Sequence, residues 1–395
     1  MDRAWLSIIG ISEDGPDGLT SASRAALGAA EVVFGGPRHL ALVAALIGAR
    51  GRVWPVPFDI APVLALRGRR VAVLASGDPF WHGAGGALVQ GLTVGDWQSF
   101  PQASVFSLAA AHLGWRLEEV TCLGLHARPL AALRADLQPG ARLIVTLRGG
   151  AAVGDLARWL VGQGLGATAL WVMEALGGPR QRVRSASADG YHLADVGDLV
   201  AVALMVPPRA AALSRVPGRA DDLFAQDGQI TRSPVRAVTL SALAPRSGQV
   251  LWDLGSGSGS VSVEWCLAGG RAIAVEPRAD RLTNILKNID DFGLTDRMRA
   301  VQGVSLAVVA GLEPPDAVFV GGGFSGDLMD RLLALAKGAR LVVNAVTLET
   351  EALVIGLQAL HGGSLMRIDI AQVQPLGALR GWAPARPVVQ WSVQL

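Results

Sequence analysis

Two short segments carry residue types whose spacing suits ligand chemistry. Asp253-Leu254-Gly255-Ser256-Gly257-Ser258-Gly259 follows the apolar run Val250-Leu251-Trp252 and precedes the helical run Val261–Leu267. Glycines at every second position let a backbone turn sharply and approach a ligand closely. Glu276, 21 residues after Gly255, ends the next apolar run. A carboxylate there can accept both hydroxyls of a ribose. Gly77-Asp78-Pro79, with Gly83 close behind, ends the apolar run Arg70–Ala75. Glycine permits that turn and proline fixes the next φ, so backbone groups there can face a ligand. No catalytic triad accompanies either segment, and the catalytic residues stay unassigned. The six histidines show no metal-ligand spacing, and no metal is expected. His82, just past Gly77-Asp78-Pro79, is the one placed to touch a ligand.

The glycine loop admits two cofactor readings. In a dinucleotide fingerprint the sixth position is glycine, and here it is Ser260. Such a site also needs room and a helix dipole for a pyrophosphate. S-adenosylmethionine carries an ammonium and a sulfonium and no phosphate, which the nearby carboxylate of Asp253 suits. The spacing favours S-adenosylmethionine; dinucleotide binding and a ligand-free turn remain the alternatives.

The surrounding pattern alternates strand and helix, which reads as parallel α/β architecture in both halves. Strands are expected at Trp5–Gly10, Glu31–Phe34, Arg70–Ala75 and Glu119–Leu123, then near 142–147, 168–173, 180–186 and 199–206. Helices are expected near 20–30, 37–48, 83–92, 104–114, 129–137 and 151–162. The split between the two sets suggests paired subdomains. Residues 207–226 mix Pro, Arg, Ala and Asp without a sustained period and read as a linker. The alternation resumes over 227–395, with five parallel strands, Val250–Leu254, Arg271–Val275, Met298–Gln302, Ala317–Val320 and Arg340–Ala345. Their helices fall near 233–243, 259–268, 279–292, 326–336 and 349–361. Ser364–Gln374 and Pro387–Gln394 then read as an antiparallel pair closing the sheet.

Bulk properties narrow the function classes. The length of 395 residues implies two domains. Apolar residues make up 51% and charged residues 17%, a globular and not a disordered balance. Mean hydropathy is +0.38, yet apolar runs such as Leu199–Val206 fall far short of the roughly 20 residues of a spanning helix. The opening Met1–Trp5 leads into a strand pattern with no leader-like charge and apolar core, so a cytoplasmic location is expected. Cys122 and Cys266 are too few and too far apart for a disulfide framework. A formal charge of +2 without a basic run argues against a nucleic-acid partner.

Longer stretches resemble known families. Gly10–Pro16 followed by Leu19-Thr20, Phe34-Gly35-Gly36-Pro37-Arg38, Ala75-Ser76-Gly77-Asp78-Pro79 with Gly83, and Pro101–Ser104 with Ser107, Ala110 and Leu113-Gly114-Trp115 together resemble the tetrapyrrole methylase family over about 200 residues. Gln102 and Ala103 stand where that family often has glycine and a small polar residue. Gly228–Arg236, including Thr231, resembles the segment that leads into the class I methyltransferase domain of the cobalamin pathway. Pro234 stands there in place of the usual acid, and Val304 in place of another. Asn344–Thr350 also matches that family closely.

The resemblance implies a tetrapyrrole methylase-like pair of α/β subdomains at 1–206. It implies a Rossmann-like class I domain with a terminal antiparallel strand pair at 227–395. It implies one S-adenosylmethionine per domain, held by Gly77, Asp78, Pro79, Gly83 and Ser104 in the first. In the second the cofactor residues are Thr231, Gly255, Ser256, Gly257, Ser258, Gly259, Glu276, Gly303 and Ser305. Gly322, Asn344 and Glu349 would face a tetrapyrrole substrate, and Arg38 and Arg232 are candidate clamps for its carboxylates. The implied chemistry is methyl transfer to carbons 5 and 15 of a precorrin, with loss of carbon dioxide from the ring C acetate to give precorrin-8. A homo-oligomer, dimer or tetramer, is expected. An RNA methyltransferase, or one half acting as a non-catalytic cofactor-binding scaffold, are the rival readings.

Overall fold

A computed structural model describes residues 4–395; Met1–Arg3, part of the N-terminal reading above, lie outside the described residues. The described residues form two compact units. One runs through Arg128 and resumes over Asp136–Ala211; the other comprises Pro129–Ala135 and Ala212–Leu395.

The first unit contains two sheets. Strands β1 (Leu6–Ile11), β2 (Val32–Gly35), β3 (Gly51–Val53), β4 (Val71–Ser76) and β5 (Trp97–Phe100) form a parallel sheet in the order β3-β2-β4-β1-β5. The central β1 and β4 are near-continuous Ile, Leu and Val because helices cover both faces. Strands β6 (Val120–Gly124), β7 (Arg142–Thr146), β8 (Ala169–Glu174), β9 (Arg182–Ser187) and β10 (Val200–Met205) make the second sheet, ordered β6-β7-β10-β8-β9. Only its β6–β7 pair is parallel.

The second unit is a seven-stranded sheet. Strands β11 (Val250–Leu254), β12 (Arg271–Glu276), β13 (Met298–Gln302), β14 (Ala317–Val320) and β15 (Arg340–Ala345) run parallel, with β11 in the middle. Beyond β16 (Ser364–Ile368), β17 (Ala371–Leu376) pairs antiparallel with β18 (Leu379–Pro384) as a separate hairpin. The last strand, β19 (Val388–Gln394), inserts antiparallel between β15 and β16. The terminal antiparallel feature is therefore present twice. The expected single strand 364–374 divides because the β16–β19 register ends at Ile368 opposite Val388, next to Pro387, which has no N–H to continue a ladder.

Four local expectations need correction. The stretch near 129–137 forms only the 3₁₀ turn Leu130–Leu133, bounded by Pro129 and by Pro139-Gly140. The helix expected over 37–48 breaks at Val43, whose φ of −115° is not helical, into Pro37–Leu42 and Ala44–Ile47. The helix near 83–92 shortens to Gly85–Val89, because its flanks are glycine-rich. Strands β3 and β5 were missing from the reading; both are short sheet edges without a buried apolar face to mark them. Among the described residues no helix is long and apolar enough to cross a membrane.

Trp391 in β19 is fully buried, and its indole N–H donates to the Gly362 carbonyl at 2.9 Å. Trp391→Ala is expected to cost about 3–5 kcal/mol, read from chemical denaturation of the full chain. A cost below about 1 kcal/mol would mean that β19 does not hold the sheet edge.

Candidate cofactor sites

Each parallel sheet gathers its motif residues at the carboxyl ends of the strands, where open α/β sheets place ligands. In the first unit Gly77 follows β4 with φ +54°. Its N–H donates to the Ile11 carbonyl at 3.0 Å, and its own carbonyl accepts from Gln102 N at 3.2 Å. A Cβ on Gly77 would lie 2.8 Å from the Ser104 Cα, so only glycine lets these loops meet. Asp78 Oδ1 accepts from Phe80 N at 2.9 Å, closing the turn. Gly83 packs against the Pro79 carbonyl. Ser104 is buried and caps the helix Val105–Leu113, accepting from Ser107 N at 3.1 Å. The structure thus brings Gly77, Asp78, Pro79, Gly83 and Ser104 together.

Beside them sits a charged cluster that the sequence did not reveal. Glu13 is buried and pairs with Arg38, and Arg180 Nη2 reaches its other oxygen at 3.4 Å. Arg38 also donates to Ser76 Oγ at 2.8 Å, and its Nη2 lies 2.7 Å from His39 Nε2. Burial, reinforced by the Arg38 charge, pushes His39 down to about 4, so its ring is neutral near pH 7 and Nε2 can accept. The charge of Arg38 is thereby largely engaged within the protein. His82 holds an unusual φ of +57° and packs against Gly124 and the Phe106 ring.

In the second unit Gly255, Gly257 and Gly259 all have positive φ, between +57° and +71°. A Cβ on Gly255 would lie 2.5 Å from the Gly322 carbonyl oxygen. Gly255 N and Ser256 N both donate to the Val275 carbonyl, at 3.0 and 3.1 Å. Glu276 is buried; its carboxylate accepts from Gly257 N at 2.9 Å and Arg278 N at 3.1 Å. Gly303 N donates to the Glu276 carbonyl, and buried Ser305 opens the following helix. Gly255–Gly259, Glu276, Gly303 and Gly322 therefore converge on one rim. Thr231 belongs to a segment lying against it, since the Gln229 carbonyl is 3.3 Å from where a Gly257 Cβ would be.

Asn344, at the end of β15, is buried. Its amide donates to Thr239 Oγ1 at 2.9 Å and accepts from Gln390 at 2.9 Å, so it ties β15 to β19. Glu349 is exposed in the first turn of the helix Leu348–His361. Arg232 is exposed and reaches Asp221 at 3.4 Å. A cavity of about 580 Å³ lined by Glu119, Arg142, Met205 and Pro207 lies at the opposite ends of β6 and β7 from Gly124 and holds none of the motif residues.

Comparison with known proteins then decides the family. The chain is 45% identical over 396 residues to precorrin-6Y C(5,15)-methyltransferase [decarboxylating] of Sinorhizobium sp, covering 98% of this chain and 96% of that protein. The chain belongs to the precorrin-6Y C(5,15)-methyltransferase (decarboxylating) family. Residues 6–190 match the family described as Tetrapyrrole (Corrin/Porphyrin) Methylases, and residues 222–395 match the Precorrin methyltransferase domain. A protein of Pyrobaculum calidifontis, named "Probable cobalt-precorrin-6B C(15)-methyltransferase (decarboxylating)", is 39% identical over 142 residues, 34% of this chain and 72% of its own length. Among solved structures, the C-terminal domain of precorrin-6Y C5,15-methyltransferase from Rhodobacter capsulatus is 64% identical, covering 46% of this chain and all of that one, with a TM-score of 0.46.

Methyltransferases of this family use S-adenosylmethionine, and the donor set fits a cationic, phosphate-free nucleoside. Two buried atoms at the glycine loop, Asp253 Oδ1 and Ser258 Oγ, have no partner among the described residues. The other oxygen of Asp253 accepts from Ser262 N and Oγ, at 3.2 and 2.7 Å. Burial drives the Asp253 carboxyl from 3.8 to about 7; the Ser262 hydrogen bonds oppose this and the Glu276 charge adds to it. Folding therefore raises its affinity for a proton. The stability that proton confers is present below the ordinary carboxylate range and is lost as pH rises through about 7. Scanning calorimetry from pH 5 to pH 8 should show wild type losing stability relative to Asp253→Asn as pH rises. A constant difference would contradict the assignment.

Proposed function

We propose that the chain carries two methyl-transfer sites, one at each glycine-bearing rim, each taking one S-adenosylmethionine. It is a methyltransferase of cobalamin biosynthesis with decarboxylase activity. Carbons 5 and 15 of a precorrin-6 intermediate receive methyl groups, and the ring C acetate leaves as carbon dioxide to give precorrin-8. The observation that carries the two-site reading is the pair of rims, each closed by a glycine that admits no side chain.

We assign carbon 5 to residues 1–206, and carbon 15 together with decarboxylation to residues 227–395, joined by 207–226. A relative named for the C(15) transfer and decarboxylation matches only 34% of this chain, which supports keeping those two reactions on one domain.

S-adenosylmethionine, when bound, supplies an electrophilic methyl on sulfonium sulfur. The protein's residues then position and do little covalent work. In the first rim Gly77, Asp78, Pro79, Gly83 and Ser104 form the floor. In the second the loop Gly255–Gly259 forms the floor, Glu276 keeps unused acceptor capacity at its edge, and Asp253 holds negative charge beneath it once ionised. Thr231, Gly303 and Ser305 complete the wall. A reduced meso carbon is enamine-like and gives its electron pair to the new carbon–carbon bond. The resulting cationic macrocycle then loses a proton, or accepts the electron pair left when the acetate carboxylate departs. No strong base is required, in keeping with rims that hold no triad. Gly322 and Glu349 lie on the substrate side, with Arg38 and Arg232 near substrate carboxylates. We place the enzyme in the cytoplasm, as a homo-oligomer, with a precorrin as its partner.

Mass spectrometry of product separates the two sites. Wild type should add two methyls and remove one carbon dioxide. Gly255→Ala should add one methyl and keep the carboxylate; Gly77→Ala should lose the other methyl transfer. If Gly255→Ala still decarboxylates at the wild-type rate, the division of labour is wrong.

A further inference from the structure

An ion pair lies under the second rim with both members fully buried: Arg236 Nε donates to Glu264 Oε1 at 2.7 Å. Desolvating two charges is costly, and an apolar pair of the same volume is often at least as stable. What the pair binds besides itself indicates its use. Arg236 donates to the carbonyls of Thr231 and Arg219 and to Asp221 Oδ1 at 3.1 Å, and its guanidinium covers the Phe224 ring at 4.6 Å. Glu264 accepts from Gly218 N at 2.8 Å, Arg219 N at 3.0 Å and Arg219 Nη1 at 3.1 Å. Asp221 in turn accepts from Ser233 N at 3.0 Å. Nearly all the donors and acceptors of this pair therefore fall on one stretch, 218–233.

We propose that Arg236 and Glu264 are positioning residues for the second cofactor site, holding Gly228–Ser233 and its Thr231 against the glycine loop. The flat fork of a guanidinium suits this task, because it reaches two carbonyls and two carboxylates from one buried point. Arg281 fixes the far side of the segment, donating to Asp227 at 2.8 Å and to the Gln229 side chain at 2.7 Å. Gln229 touches the loop at Gly257, so a segment freed from Arg236 would no longer define that wall. The inference rests on reading the glycine loop as a cofactor site.

The test uses the full chain carrying Arg236→Met. Methionine keeps apolar volume, and Glu264 keeps the Arg219 guanidinium and the Gly218 and Arg219 N–H groups as partners, so the melting temperature should fall little. Hydrogen exchange over 228–233, measured with no cofactor added, should speed up about tenfold. The KM for S-adenosylmethionine in the decarboxylating transfer should rise about tenfold with kcat nearly unchanged, while the other transfer keeps its KM. Arg236→Lys should not restore either value. Unchanged exchange or unchanged KM would overturn the proposal, as would a joint fall of melting temperature and both transfers. Gly255→Ala, run beside it, separates the two readings. If that variant keeps the decarboxylating transfer with KM unmoved, the loop is not the cofactor site; if it loses or weakens that transfer where Arg236→Met leaves it unmoved, only the positioning role falls.

Discussion

Backbone meeting backbone at the carboxyl ends of parallel strands is the constraint on which both rims depend. Gly255 faces the Gly322 carbonyl, Gly10 the Gly77 carbonyl and Gly77 the Ser104 backbone, with no room for a methyl group at any of the three. The floor of each rim is therefore main chain, held by the hydrogen bonds of adjacent strands. It presents N–H and C=O groups rather than side chains. A site of that kind binds and aligns, and it suits transfers in which the electrophile brings its own reactivity.

Charge is arranged in the opposite way. Three carboxylates near the rims are buried and committed to internal partners: Glu13 to two arginines, Glu264 to two arginines and two amides, Glu276 to two amides. Asp253 differs, with one oxygen unpartnered and burial pushing its carboxyl up to about 7. Its charge state can therefore change near neutral pH.

Much of this was legible in the chain. The parallel strands of the second domain other than the edge strand β13 follow apolar runs that are almost wholly buried, and β11, β13, β14 and β15 fall on the expected residues. Both glycine motifs were readable because their chemistry is local: a left-handed φ that other residues rarely adopt, within a few positions of a strand end. The charged partners were not, because Glu13 meets Arg180, and Arg219 meets Glu264, only through the fold. One signal was available. Glu264 is the single charge in the helix Ser260–Leu267, which is otherwise buried, and a charge there demands a buried partner. The role of Asn344 in tying β15 to β19 was hidden for a related reason: its cross-strand partner Gln390 is 46 residues away in the chain. The β17–β18 hairpin is largely exposed on both faces, so no burial pattern marks where one strand ends and the next begins.

The central claim is that one chain holds two cofactor sites of independent construction. Calorimetric titration of the wild-type full chain with S-adenosylhomocysteine measures that directly. The account predicts two equivalents bound per chain. A stoichiometry of one would contradict it, leaving one of the two rims as a scaffold without a ligand.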